Sequence, residues 1–221
     1  MPLDMVRLSR LTLSPRSSAV ERGFDRFRAI RPMQNHSPNA APDPTAVPVS
    51  LPNPWTAADV LSILAEHGWM NSEPPEAQSN WCARAAGLLG SHAADRAALA
   101  ALLSLVFLYD ARTVLATVDA HVVLSRYAAR DVIRQLALLL LASDGPLTPD
   151  RFQEIVTNIK DTLDVRSRDL FHPLRLALAG RSGEGELDRV VLLLDDADAA
   201  QFAQPVKPAR ARIVEFCAAL D

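Results

Sequence analysis

Five cations gather around one helix–loop–helix stretch: Lys160, Arg166, Arg168, Arg175 and Arg181. Guanidinium groups grip phosphate oxygens in pairs and stack on unpaired bases, so such a set is suited to reading a single-stranded nucleic-acid loop. The same set also serves as a solvated face whose arginine stems cover leucines. Other chemistries have less to stand on. His36, His67, His92, His121 and His172 are scattered over separate segments, and none has a neighbour at metal-ligand or acid–base spacing. Gly180 and Gly185 have the spacing of a phosphate-binding loop, but Glu186 occupies the place where a lysine must neutralise phosphate. No parallel strand precedes that loop, so a nucleotide cradle is excluded. Cys82 and Cys217 lie far apart with no CxxC pair, which reads as two reduced thiols in a cytoplasmic protein.

The 221 residues carry unevenly spread charge. Residues 1–50 hold seven arginines against four acids, a net of +3, and the remaining 16 basic and 22 acidic residues net −6. A globally basic nucleic-acid binder is therefore excluded, and any RNA contact must use a local patch. Hydrophobic residues make up 49% and aromatics only 5%, with alanine and leucine dominant, which favours helices packed by aliphatic side chains. The longest apolar run, from Ala97 to Tyr109, is interrupted by Ser104 and falls short of the roughly 20 residues of a membrane span.

The elements that must position the basic set follow from caps and breakers. Residues 1–52 are dense in proline, serine and arginine without a lasting apolar period, which reads as a disordered extension. Thr56 caps a first helix, with Trp55 stapled on Val60 and Gly68 as its stop. A second helix is expected from Glu76 to Leu89. A third, from Asp95 to Tyr109, is apolar nearly all round and so expected to be buried. Arg112–Leu124 and Arg126–Leu141 read as one interrupted helix or two. Asp144, Gly145 and Pro146 make a break, after which Thr148 and Pro149 open the best-defined helix. Its stripe is Phe152, Ile155, Val156, Ile159 and Leu163. Pro173 is expected to start the next helix, with His172 extended before it, and Gly180 to end it. Leu187–Leu194 follows as a leucine-rich helix, Asp195–Pro208 as an acidic connector, and Ala209–Leu220 as the last helix. The expected fold is all-α, a bundle of about seven to eight helices in two packed subdomains, residues 53–145 and 146–221.

The string Leu170, Phe171, Pro173, Leu174, Arg175, Ala177, Leu178 and Gly180, with the leucine-rich helix after it, resembles the C-terminal anticodon-binding region of bacterial glutamyl-tRNA synthetases. The resemblance is best over residues 149–220 and looser back to Trp55. The nucleotide-binding catalytic half of that family, with its HIGH-like and KMSKS-like signatures, has no counterpart in this chain. The resemblance implies a non-catalytic tRNA-binding module without a cofactor, with tRNA-Glu as ligand and a separate catalytic synthetase chain as a further partner. It places RNA contacts at Arg175, Glu184, Gly185 and Leu187, and the charge pattern adds Arg168, Arg181, Arg166 and Lys160 beside them. Relatives often carry Thr-Pro where this chain has Glu184 and Gly185. The alternative is therefore a helical interaction protein that kept the fold and lost RNA binding.

Overall fold

Thr56 opens the first described helix by reciprocal capping. Its hydroxyl accepts from the Asp59 backbone N–H, and the Asp59 carboxylate accepts from the Thr56 N–H at 2.8 Å. Helix α1 (Ala57–Glu66) follows and turns Val60, Ile63 and Leu64 inward. The computed structural model describes residues 53–221, and the expected extension at 1–52 lies outside the described residues. All regular structure among the described residues is helical: α1, α2 (Glu76–Leu89), α3 (Arg96–Phe107), α4 (Ala111–Leu115), α5 (Val118–Leu124), α6 (Ala129–Leu141), α7 (Pro149–Leu163), α8 (Ser167–Ala179), α9 (Glu186–Val191), α10 (Leu194–Ala199) and α11 (Ala209–Leu220). The all-α class is thus observed. The described helices outnumber the seven or eight expected because two stretches divide further. Residues 111–141 form three helices, with Thr117 capping α5 by accepting from the Ala120 N–H, and Ala128 in a left-handed conformation opening α6.

Three expectations change on contact with the tertiary structure. Helix α3 buries one face only, through Leu99, Leu103, Val106 and Phe107, while Ala97 and Ala101 are exposed. Small alanines cost little at a surface, so their hydropathy overstated burial. Helix α8 starts at Ser167, and Pro173 lies inside it with His172 also helical. The proline removes the hydrogen bond to the carbonyl of Asp169, an exposed residue, so water can take that bond instead. The acidic connector begins with a helix, α10. Asp195 at its start accepts from the Leu147 N–H at 2.6 Å and the Ala209 N–H at 2.8 Å, tying the entrances of α7 and α11 together.

Helix α6 packs against α7, α8 and α11, and α9 packs against α2, α3 and α8. The core crosses residue 145 without a break. Trp81 of α2 meets Phe107 at 5.8 Å and Phe202 at 5.1 Å between ring centres, both edge-on, and its indole N–H donates to the Leu193 carbonyl. Arg212 of α11 is 0% exposed. Its guanidinium donates to the carbonyls of Leu105 and Val106 at the end of α3, Leu178 at the end of α8, and Lys207, and lies 4.5 Å above the Tyr109 ring. Burial lowers its pKa to about 10, with Tyr109, Glu215 and Asp195 acting in the opposite direction. It is therefore a cation at neutral pH that closes two helix C-termini, where free carbonyls need donors.

Candidate nucleic-acid interface

The basic set stands around α8, the loop after it and α9. Gly180 ends α8 with φ +79°, a left-handed conformation that a side chain would strain. Two fastenings then hold the loop. The Asp119 carboxylate of α5 accepts from the Ser182 N–H at 3.0 Å and the Ser182 hydroxyl at 2.7 Å. From the other side, Arg175 Nε and Nη2 donate to Asp188 Oδ1 and Oδ2, both at 2.7 Å, and Nη1 donates to the Gly183 carbonyl. Gly183 approaches closely as well: a Cβ there would come 2.8 Å from Leu187 Cδ1.

Arg175 therefore faces inward. It is 8% exposed, its three guanidinium-side nitrogens all have protein acceptors, and it lies 4.9 Å over the Phe171 ring. In this conformation it holds the loop, with three of its five N–H groups spent on protein acceptors and only an edge left towards the surface where the sequence reading places an RNA base. Leu187 is 3% exposed and belongs to the core, so it too is withdrawn from the surface. The reason is shared: the loop folds back over α8, and the residues that anchor it are spent on that closure.

The other expected residues divide. Arg168 and Glu184 are exposed and line a cleft of about 280 Å³ together with Ser167, Phe171, His172 and the edge of Arg175. Arg181 is exposed on a different side of the loop, beside His92 and α3. Gly185 is exposed at the start of α9 with open space around its Cα. Arg166 is exposed and pairs with Asp164 at 3.5 Å, a contact of little energy in water. Lys160 is exposed on α7 and lines neither hollow.

Two side chains that the sequence reading did not bring together meet beside the cleft. Arg126, in the connection between α5 and α6, donates from Nη1 to His172 Nδ1 at 3.1 Å. Since arginine has no acceptor, the His172 ring must carry its proton on Nε2. Burial holds the His172 pKa below its ordinary value, and Arg126, Arg175 and Arg168 push it the same way, while Glu184 opposes them. The pair is 46 residues apart in the chain, and no local spacing signals it.

Among the described residues there is no group of three or more histidine, cysteine, aspartate or glutamate side chains able to hold a metal. No described helix is long and apolar enough to cross a membrane. Compared with known proteins, the chain matches no family model, no curated protein and no solved structure.

Proposed function

We infer that the protein is a non-catalytic RNA-binding module that takes an unpaired loop on the surface formed by α8 and the loop after it. One observation carries this reading. Arg168 and Arg181 stand exposed on two sides of a doubly fastened loop, and neither has an ion-pair partner among the described residues. In a body that is acidic overall, two free guanidiniums on a rigid mount are a local anion-binding surface. The resemblance noted above supplies the RNA class: tRNA, and tRNA-Glu first. It also suggests a separate catalytic synthetase chain as a partner. The deciding experiment is a fluorescence titration of the full chain with tRNA-Glu at two salt concentrations, with an unrelated tRNA as competitor. Arg168→Ala and Arg181→Ala should each weaken binding by about ten-fold and reduce the salt slope by about one. Weak binding that ignores both salt and these substitutions would refute the reading.

A second reading, a helical protein-interaction module, is favoured by exposed apolar side chains. Leu138, Leu141 and Val214 are 65%, 44% and 50% exposed on the packed pair α6 and α11. Co-purification of a protein partner, lost on Leu138→Asp and without bound RNA, would favour it over RNA binding.

A further inference from the structure

The cleft beside the loop has a charge arrangement that the helices alone do not require. Arg126 is half-buried, and no carboxylate pairs with it among the described residues. Its one side-chain partner, His172 Nδ1, is a neutral acceptor. Arg168 stands on the same cleft, likewise without an ion pair among the described residues. Arg175 adds a third guanidinium at the edge, but Asp188 neutralises it. Arg168 and the uncharged imidazole of His172 thus line one hollow, Arg126 adjoins it through its bond to His172, and the acid on the lining is Glu184 of the exposed loop.

We propose that this cleft, between the first turns of α8 and Glu184 of the loop after it, is with the adjoining Arg126 a phosphate site in which Arg126, Arg168 and His172 hold one phosphate group of the bound RNA. The site rests on the RNA reading above and gives it a defined contact. A phosphate oxygen takes the Arg126 donor that His172 now accepts, which is the stronger, charge-assisted bond. Released from Arg126, the imidazole Nδ1 is free to take a proton and donate to the same phosphate. The groups facing His172 are Arg126 from the α5–α6 connection, Arg168 and Arg175 from α8, and Glu184 from the loop. In the empty cleft the three arginines and burial disfavour a charged imidazole. A bound phosphate offsets the field of these cations and accepts from the protonated ring, so phosphate and proton bind together. Affinity should therefore rise as pH falls from about 7.5 to about 6, towards the ordinary histidine range. Glu184 repels the ligand, which makes it the residue whose neutralisation strengthens binding.

The test uses the full chain with inorganic phosphate as probe, followed by the His172 ring resonances in NMR, alongside the tRNA titration. Saturating phosphate should raise the apparent pKa of His172 and shift its Cε1–H signal. Arg126→Gln should abolish that rise and weaken phosphate binding by about ten-fold, as expected for loss of a charge-assisted contact. Arg126→Lys should restore part of the affinity. Glu184→Gln should tighten binding several-fold, a gain that a damaged fold cannot produce. His172 resonances unmoved by tens of millimolar phosphate, or Arg126→Gln binding phosphate as the unaltered chain does, would overturn the site. If tRNA binds while phosphate leaves His172 unchanged, this inference fails and the RNA reading stands. If phosphate moves His172 while tRNA does not bind, the RNA reading fails and the anion site stands.

Discussion

Arg175→Ala separates a loop anchor from an RNA contact, and the two roles predict different measurements. The Arg175 and Asp188 side chains are 9% and 21% exposed and meet in a two-pronged ion pair. Removing one partner of a buried pair costs about 3–5 kcal/mol, because the other charge is left without compensation. Asp188 is 21% exposed and keeps some access to water, so a smaller loss, about 2–3 kcal/mol, is expected from the pair in this setting. The Gly183 carbonyl also loses its donor and Phe171 its stacked cation. For a folded unit of this size, about 3 kcal/mol corresponds to a fall in melting temperature of roughly 6–12 °C. Urea and thermal unfolding followed by circular dichroism give the number directly. Arg175→Lys should recover only part of it, since an ammonium cannot make the two-pronged contact. Arg175→Met combined with Asp188→Leu should recover more, because no charge is stranded. A melting temperature unchanged in Arg175→Ala, together with a large loss of tRNA affinity, would show that the guanidinium works outward and would refute the anchoring role.

Arg212→Met should be still more damaging, by about 3–5 kcal/mol or failure to fold, since it orphans carbonyls at the ends of α3 and α8; the yield of soluble chain and its urea midpoint report this. Without ligand, stability should decline as pH falls below 6.5, because the unfolded chain then binds a proton at His172 that the folded chain resists. His172→Gln should flatten that part of the pH–stability profile, and an unaltered profile would count against the burial and arginine field at this ring. ATP–pyrophosphate exchange with glutamate should stay at the level of a heat-killed control, and exchange above it would overturn the non-catalytic reading.

Much of the helix order was legible in the chain because its signals are local. Thr56 and Thr148 announce helix starts through caps that need only the next few residues, and each caps its helix as the residue type requires. The α7 stripe of Phe152, Ile155, Val156 and Ile159 is buried as its spacing demands, with Leu163 half-buried at the end. Gly180 reads as a helix stop because only a residue without Cβ enters the left-handed region cheaply. The Pro-Leu-Arg string likewise lies in the helix that Gly180 ends, α8.

What the residues around that string do was decided elsewhere. Arg175 looks like a surface cation until Asp188 and Gly183 close on it, and whether a guanidinium meets an acid or water depends on how a loop folds back. Asp195 appears as part of an acidic connector, yet two backbone N–H groups from distant segments converge on it. Arg126 and His172 have no sequence relation at all and become neighbours because α5 packs on α8. Local propensity fixes where helices begin and end, because its energies arise within one turn of chain. The pairing of charges depends on distances between turns that only packing sets, and a few ångströms decide whether a charge is compensated, buried or left free for a ligand.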